Sequence, residues 1–324
     1  MKAVLCKAYG PPESLVVEDI ASPKPGPKQV VVSVKACGVN FPDTLIIENK
    51  YQFKPDLPFS PGGELAGVIK ELGEGVKGFS VGQQVFCMIG WGGFAEEAVV
   101  DVKNLVPMPP GMDEVVASAF AMTYGTSYYA LVNRARIKEG ETLLVLGAAG
   151  GVGLAAVEIG KNLGAKVIAA ASTDEKLAVC REYGATETIN YSKEDLKTRI
   201  KELTDGKGVD VVYDPVGGDF SEAALRGTAW EGRFLVIGFA AGDIPKIPLN
   251  LTLLKGCQIV GVFWGKFAFS EPQKNMANFM QLIQWYHQGK IKPRIHKTYP
   301  LENVSDALYD ITNRRVMGKV VLVP

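Results

Sequence analysis

Apolar positions in this chain follow two different rules, and the change comes near residue 122. From Met1 to about Ala121 they form short β-branched runs such as "QVVVSVKA", "AGVIKEL" and "AEEAVV". These are separated by turn clusters such as "SPKPGPK" and "GEGVKGFSVGQQ". Short runs punctuated by Pro and Gly predict an antiparallel β domain of barrel type. From "MTYGTSYYALV" onward the runs are "TLLVLG", "KVIAAA", "VDVVYD", "GRFLVIG" and "QIVGVFW", and helical patterns lie between them, one from Gly151 to Leu163 and one around Glu175 to Tyr183. Unbroken Val, Ile, Leu and Ala strands alternating with helices predict a doubly wound α/β domain, its parallel sheet buried on both faces. After Trp264, Met276, Phe279, Met280, Ile283 and Tyr286 recur at helical spacing and predict one buried helix face. The closing "GKVVLVP" reads as a strand able to return to the β domain.

Composition narrows the partners. At 324 residues and 47% hydrophobic content the chain is long enough for two domains with real cores. Lys plus Arg and Asp plus Glu both number 35, which argues against a nucleic-acid or anionic-membrane surface and for a small-molecule partner. "MKAVLCKAYG" lacks the apolar core of a signal peptide, and no window approaches the roughly 18 apolar residues of a membrane span. A cytoplasmic protein is therefore expected. Cys6, Cys37, Cys87, Cys180 and Cys257 are scattered and odd in number, which fits reduced, buried thiols rather than a disulfide framework.

The segment "LLVLGAAGGVGLAAVEIGKNLGAKVIAAASTDEK" carries the chemistry. Its glycines fall at a strand-to-helix turn, the context of a dinucleotide fingerprint, here AxGxxG at Ala148, Gly150 and Gly153 with Gly147 and Gly151 in addition. Gly150 would admit a pyrophosphate, Gly153 would allow close helix packing, and the N–H groups of Gly151 and Val152 would face the anion. NAD-binding sites normally place a carboxylate about 20 residues past this turn. Here Asp174 has that spacing, yet "STDEK" also reads as a helix start with Ser172 or Thr173 as cap. With hydroxyls at the strand end and Lys176 one turn on, NADPH is preferred to NADH.

The chain resembles the medium-chain dehydrogenase/reductase superfamily, and within it the zinc-independent quinone oxidoreductases related to zeta-crystallin. The likeness spans the whole chain and rests on "GVNFPDTL", "LPFSPGGELAGVI", "GVKGFSVGQQV", "GGFAEE", "MTYGTSYYAL", "LGAAGGVG", "GATETINYSKEDL", "VDVVYDPVGG" and "MGKVVLVP". It implies a GroES-like catalytic domain from residues 1–124 and 265–324, a Rossmann domain from 125–264, an NADPH cleft where they meet, and a homodimer joined through "QIVGVFW". Zinc-dependent relatives carry Cys at the position of Asn40 and His at that of Gly63. Since the chain has only His287 and His296, no metal is expected.

By matched position the resemblance implies Asn40, Asp43 and Tyr51 on the acceptor side, with Asn40 donating to an oxyanion and Tyr51 donating or relaying a proton. Asn and Asp beside Pro42 are also ordinary turn residues. Ser172, Lys176 and Tyr191 would surround the 2′-phosphate. Thr126 and Gly217 would lie towards the nicotinamide, Phe239 and Phe263 beside it, and Lys319 near the closing strand. Trp91 and Trp264 would be aromatic walls or core residues. Leu45 and Ile47 replace a Tyr and an Arg of better-known quinone reductases, which implies a more apolar mouth. The expected reaction is hydride transfer to a quinone or conjugated carbonyl. The alternatives are a reductase of one enone or enoyl thioester, and an NADPH-binding structural or RNA-associated protein.

Overall fold

The computed structural model describes residues 1–324, which divide into two compact units, 1–122 with 293–324, and 123–292. The first is built from β1 (Lys2–Leu5), β2 (Val16–Asp19), β3 (Gln29–Val39), β4 (Glu64–Leu72), β5 (Gln84–Met88), β6 (Glu97–Asp101) and β7 (Leu105–Pro107). The second contains β8 (Thr142–Leu146), β9 (Lys166–Ala171), β10 (Glu187–Asn190), β11 (Val209–Asp214), β12 (Thr228–Val236) and β13 (Gln258–Gly261). The chain then returns to the first unit with β14 (Ile295–Pro300) and β15 (Lys319–Val323).

In the first unit seven strands form a mostly antiparallel sheet around β3, which pairs with β4, β6 and β15. β3 is 11 residues long, so β6 pairs with Gln29–Ser33 and β15 with Cys37–Val39, while β4 runs along the other edge with register shifts at Val31/Val32 and Val34/Ala36. Its Val30, Val32, Val34 and Val39 pack with Leu65, Ile69, Val85 and Leu322 in one core. Burial of each such side chain contributes roughly 1.5–3 kcal/mol. The C-terminal "GKVVLVP" supplies β15, locked antiparallel to β3 and parallel to β14.

The second unit holds a six-stranded parallel sheet in the order β10-β9-β8-β11-β12-β13. The chain starts at β8, winds outward through β9 to β10, and crosses back to β11, so the order reverses between β8 and β11. Ligands of open α/β sheets bind at the carboxyl ends of the strands flanking such a reversal. The helix Gly151–Asn162 lies close against β8, because a Cβ at Gly160 would come 2.6 Å from Leu143 Cδ2.

Two expectations need correction. The second boundary falls at 292/293, not 264/265, because the helices Trp264–Ser270 and Pro272–His287 pack within the parallel-sheet unit. Trp264 meets Phe279 at 6.2 Å, Phe267 stacks on Tyr129 at 4.2 Å, and Trp285 meets Tyr128 at 5.7 Å. The buried face of the second helix is Phe279, Leu282 and Trp285, whereas Met280 is 61% exposed. No helix is long and apolar enough to cross a membrane.

Candidate active site

The glycine turn is built as a strand-to-helix reversal. Gly147, directly after β8, has φ +56, a conformation that costs a residue with a Cβ. The tight turn is therefore made one residue before Ala148, and this frees Ala148 to be an ordinary buried methyl whose N–H is held by Ala170 O at 3.1 Å. Gly150 takes the N-cap position with extended backbone and without a side-chain cap, so the first-turn N–H groups of Gly151, Val152 and Gly153 have no side-chain acceptor. A Cβ at Gly153 would press into the Gly147 carbonyl and lie 2.8 Å from Ala148 Cα. The spacing thus serves backbone approach on one side and helix packing on the other. Below it, Ser127 Oγ donates to Val152 O at 2.8 Å and lies 2.8 Å from Tyr213 Oη, anchoring the first turn to β11.

At the ends of β9 and β10, Thr173 is the N-cap of the helix Asp174–Glu182, its Oγ1 accepting from Lys176 N at 3.2 Å. Asp174 turns to Asn190 Nδ2 and Lys193 Nζ, each at 2.6 Å, and these donors hold its carboxyl below the usual range. The carboxylate at the ribose spacing is therefore engaged with Lys193 and the end of β10. Lys176 Nζ reaches Ser172 Oγ at 3.3 Å. Tyr191 N donates to Ala171 O at 3.2 Å, and its ring lies 4.4 Å from that of Phe220. Ser172, Lys176 and Tyr191 thus share the carboxyl end of β9. Gly217, with φ +71, follows β11, and a Cβ there would meet Phe239 Cδ1 at 2.9 Å. Thr126 is nearly buried in the helix Ala121–Tyr128, and Phe263 stands 47% exposed past β13.

Trp264 is a core residue and not an acceptor wall. It is 3% exposed, its indole N–H donates to Asn275 Oδ1 at 3.0 Å, and Gly125 provides the space for its ring.

In the first unit the sequence candidates join a buried polar cluster. Lys319 Nζ donates to Asn40 Oδ1 at 2.6 Å, Glu64 Oε1 at 2.8 Å and Val39 O at 2.9 Å. Its three donors are spent here, so Lys319 is placed as a structural ammonium and not as a cofactor ligand. The same network fixes the Asn40 amide, whose N–H₂ donates to Glu64 Oε1 at 2.9 Å and Gly38 O at 3.2 Å. The expected oxyanion donor has no free N–H. Asp43 accepts from Asn40 N at 2.7 Å and Gly62 N at 3.2 Å, tying the turn before the helix Phe41–Ile46 to the loop before β4. Burial pushes its carboxyl up to about 7, opposed by those two N–H groups and the Lys319 charge.

Tyr51 is different. It is half-buried, and its hydroxyl makes no hydrogen bond. Burial, then the nearby Asp43 charge, raises its pKa, so it stays a donor at neutral pH. Its ring meets Phe53 edge-on at 5.6 Å, and Phe53 lies 6.4 Å from Trp91, itself 42% exposed. Ile47 is fully buried beside Cys6, so of the two apolar replacements only Leu45 is partly exposed.

Sequence reasoning missed Glu64, Phe53 and Asp214. Glu64 carried a signal, as the one charge opening the apolar strand "ELAGVI". Phe53 had none, since its role depends on Trp91, 38 residues away, which folding brings to 6.4 Å from its ring.

A family model described as "Alcohol dehydrogenase GroES-like domain" matches residues 26–110, and one described as "Zinc-binding dehydrogenase" matches 151–285. A quinone oxidoreductase-like protein 2 homolog of Nematostella vectensis is 42% identical over 99% of this chain and 88% of its own length. The Bos taurus quinone oxidoreductase-like protein 2 is 40% identical over 99% and 92%. Among solved structures, the quinone oxidoreductase of Pseudomonas syringae superposes with TM-score 0.94 at 34% identity, covering 100% of this chain and 99% of that one. The Escherichia coli quinone oxidoreductase complexed with NADPH gives 0.94 at 29%, covering all of both chains. With a nucleotide-type turn at a strand-order reversal and full-length identity of this degree, the chain belongs to the quinone oxidoreductase family of the medium-chain dehydrogenase/reductase superfamily.

Proposed function

We propose that this protein is a zinc-independent NADPH-dependent reductase that delivers hydride to a quinone or a conjugated carbonyl compound. The observation that carries the reading is the nucleotide half. An uncapped helix N-terminus at Gly150–Gly153 is joined by Ser172, Lys176 and Tyr191, while the carboxylate at the ribose spacing, Asp174, pairs at the surface with Lys193 and Asn190. The N-terminal N–H groups would take the pyrophosphate. Lys176 would take the 2′-phosphate by a charge-assisted hydrogen bond.

Bound NADPH would supply the hydride. The chain's own contribution is a donor for the acceptor oxygen, where negative charge develops, and Tyr51 is the candidate whose hydroxyl is free. Phe53 and Trp91 beside it suit a flat, conjugated acceptor. Zinc independence is supported by the donor set. An amide at position 40 and a glycine at position 63 stand where ligands would be needed, and the Asn40 amide is saturated by Lys319, Glu64 and Gly38.

We also propose a homodimer through the β13 edge, where Ile259 is 40% exposed and Leu249, Leu253 and Leu254 are at least 70% exposed nearby in sequence. A cytoplasmic location is supported by five buried cysteines without a disulfide.

The test is NADPH oxidation with EDTA present, against 1,4-benzoquinone, 9,10-phenanthrenequinone, an alkenal and a crotonyl thioester. Turnover of a conjugated acceptor is expected to survive chelation and to fall about 100-fold in Tyr51→Phe. Loss of activity in EDTA would refute zinc independence, and tight NADPH binding with no acceptor turned over would favour a binding protein.

A further inference from the structure

The loop after β11 is held by a buried carboxylate that the proposed chemistry does not use. Asp214, the last residue of β11, is 3% exposed. Its Oδ1 accepts from Val216 N at 2.8 Å and Gly217 N at 2.9 Å, and its Oδ2 accepts from Ser221 Oγ at 2.6 Å. The loop it shapes contains Gly217 and Gly218 at φ +71 and +59, residues that lose much conformational freedom on ordering.

The same loop is knitted to the one following β12. Ile237 N and Gly238 N donate to Asp214 O, Ala240 N to Pro215 O, and Ala241 N to Val216 O, at 2.8–3.3 Å. Gly218 N donates to Asp243 O at 3.1 Å. Phe239 closes on Gly217. Residues 214–218 and 237–243 therefore form one plate past the carboxyl ends of β11 and β12. β11 is the strand across the reversal from β8, so in the NADPH reading this plate would face the half of the dinucleotide that the glycine turn does not hold.

We propose that Asp214 is a positioning residue for the nicotinamide half of the cofactor, fixing the 214–218 and 237–243 loops as a rigid plate without itself touching the ligand. This rests on the NADPH reading above. The distinguishing feature is selectivity, because 2′,5′-ADP carries the adenosine and 2′-phosphate but no nicotinamide.

The experiment is calorimetric titration of NADPH and of 2′,5′-ADP into the full-length wild type, Asp214→Ala and Asp214→Asn. Asp214→Ala is expected to weaken NADPH about tenfold or more, from three lost hydrogen bonds to a charged acceptor. Its affinity for 2′,5′-ADP should stay within about twofold of wild type, at the level expected for independent contacts. Asp214→Asn should recover most of the loss, since its amide oxygen can accept from the two backbone N–H groups while its N–H₂ donates to Ser221 Oγ. If Asp214→Ala does not fold, Gly217→Ala replaces it, with the same selective loss expected from its positive φ and the Phe239 contact. Equal weakening of both ligands, or of neither, would overturn the proposal. A wild type that binds neither ligand would instead sink the nucleotide reading beneath it.

Discussion

Glu158 lies in the helix that follows the glycine turn, 5% exposed, with Tyr124 Oη donating to one carboxylate oxygen at 2.5 Å and Lys292 N to the other at 2.9 Å. Burial raises its carboxyl from 4.5 to about 7, although those donors and the charges of Lys161 and Lys292 pull the other way. The folded protein therefore binds more protons here than the unfolded chain between these two values, and stability falls as pH rises through that window. A rise of this size corresponds to about 3 kcal/mol, present below pH 4.5 and lost above about 7.

Glu158→Gln removes the ionisation while keeping the shape. Its amide oxygen can accept from Lys292 N and its N–H₂ can face Tyr124, which replaces a hydrogen bond to a carboxylate by a weaker one at a cost of about 1 kcal/mol. The variant should thus be about 2 kcal/mol more stable than wild type at pH 8 and about equal to it at pH 5. Urea unfolding followed by tryptophan fluorescence at both pH values measures the difference, and contributions from all other titrating groups cancel between the two proteins. A stability difference that does not change between pH 5 and pH 8 would show that Glu158 has the same charge in both states, and the burial argument would fail.

Gly153→Ala should lower the melting temperature by an amount equivalent to about 1–3 kcal/mol, because the methyl meets backbone that no rotamer change can move, and nucleotide affinity should fall with it. Lys319→Met should cost about 3–5 kcal/mol in denaturant unfolding, since it leaves Glu64, with no exposed surface, as an unpaired buried charge. A loss below 1 kcal/mol would mean that Glu64 does not depend on the Lys319 charge. Lys176→Ala should weaken NADPH about tenfold and leave NADH unchanged in parallel titrations. Equal loss for both would remove Lys176 from the 2′-phosphate.

Much of this was written in local pattern. The parallel strands read directly as apolar runs, because a strand buried on both faces needs nothing polar. β10 was not visible, since four residues at a sheet edge, "ETIN", carry no such run. The glycine turn was legible as a class, but the residue with positive φ proved to be Gly147. The cap at Thr173 was one of two readings of "STDEK", and Asp174 was decided by Asn190 and Lys193, 16 and 19 residues away.

By itself the sequence determined the two grammars, the strand-turn-helix unit and the family, all of which depend on neighbours within a few residues of each other or on the whole pattern at once. Only the tertiary structure decided what individual polar side chains do. Asn40 lost its donor role because Lys319, 279 residues away, takes its oxygen and Glu64 takes its amide. Trp264 became core because Gly125 makes room for it. A hydrogen bond is set by distance and direction between groups remote along the chain, and no local pattern carries that information.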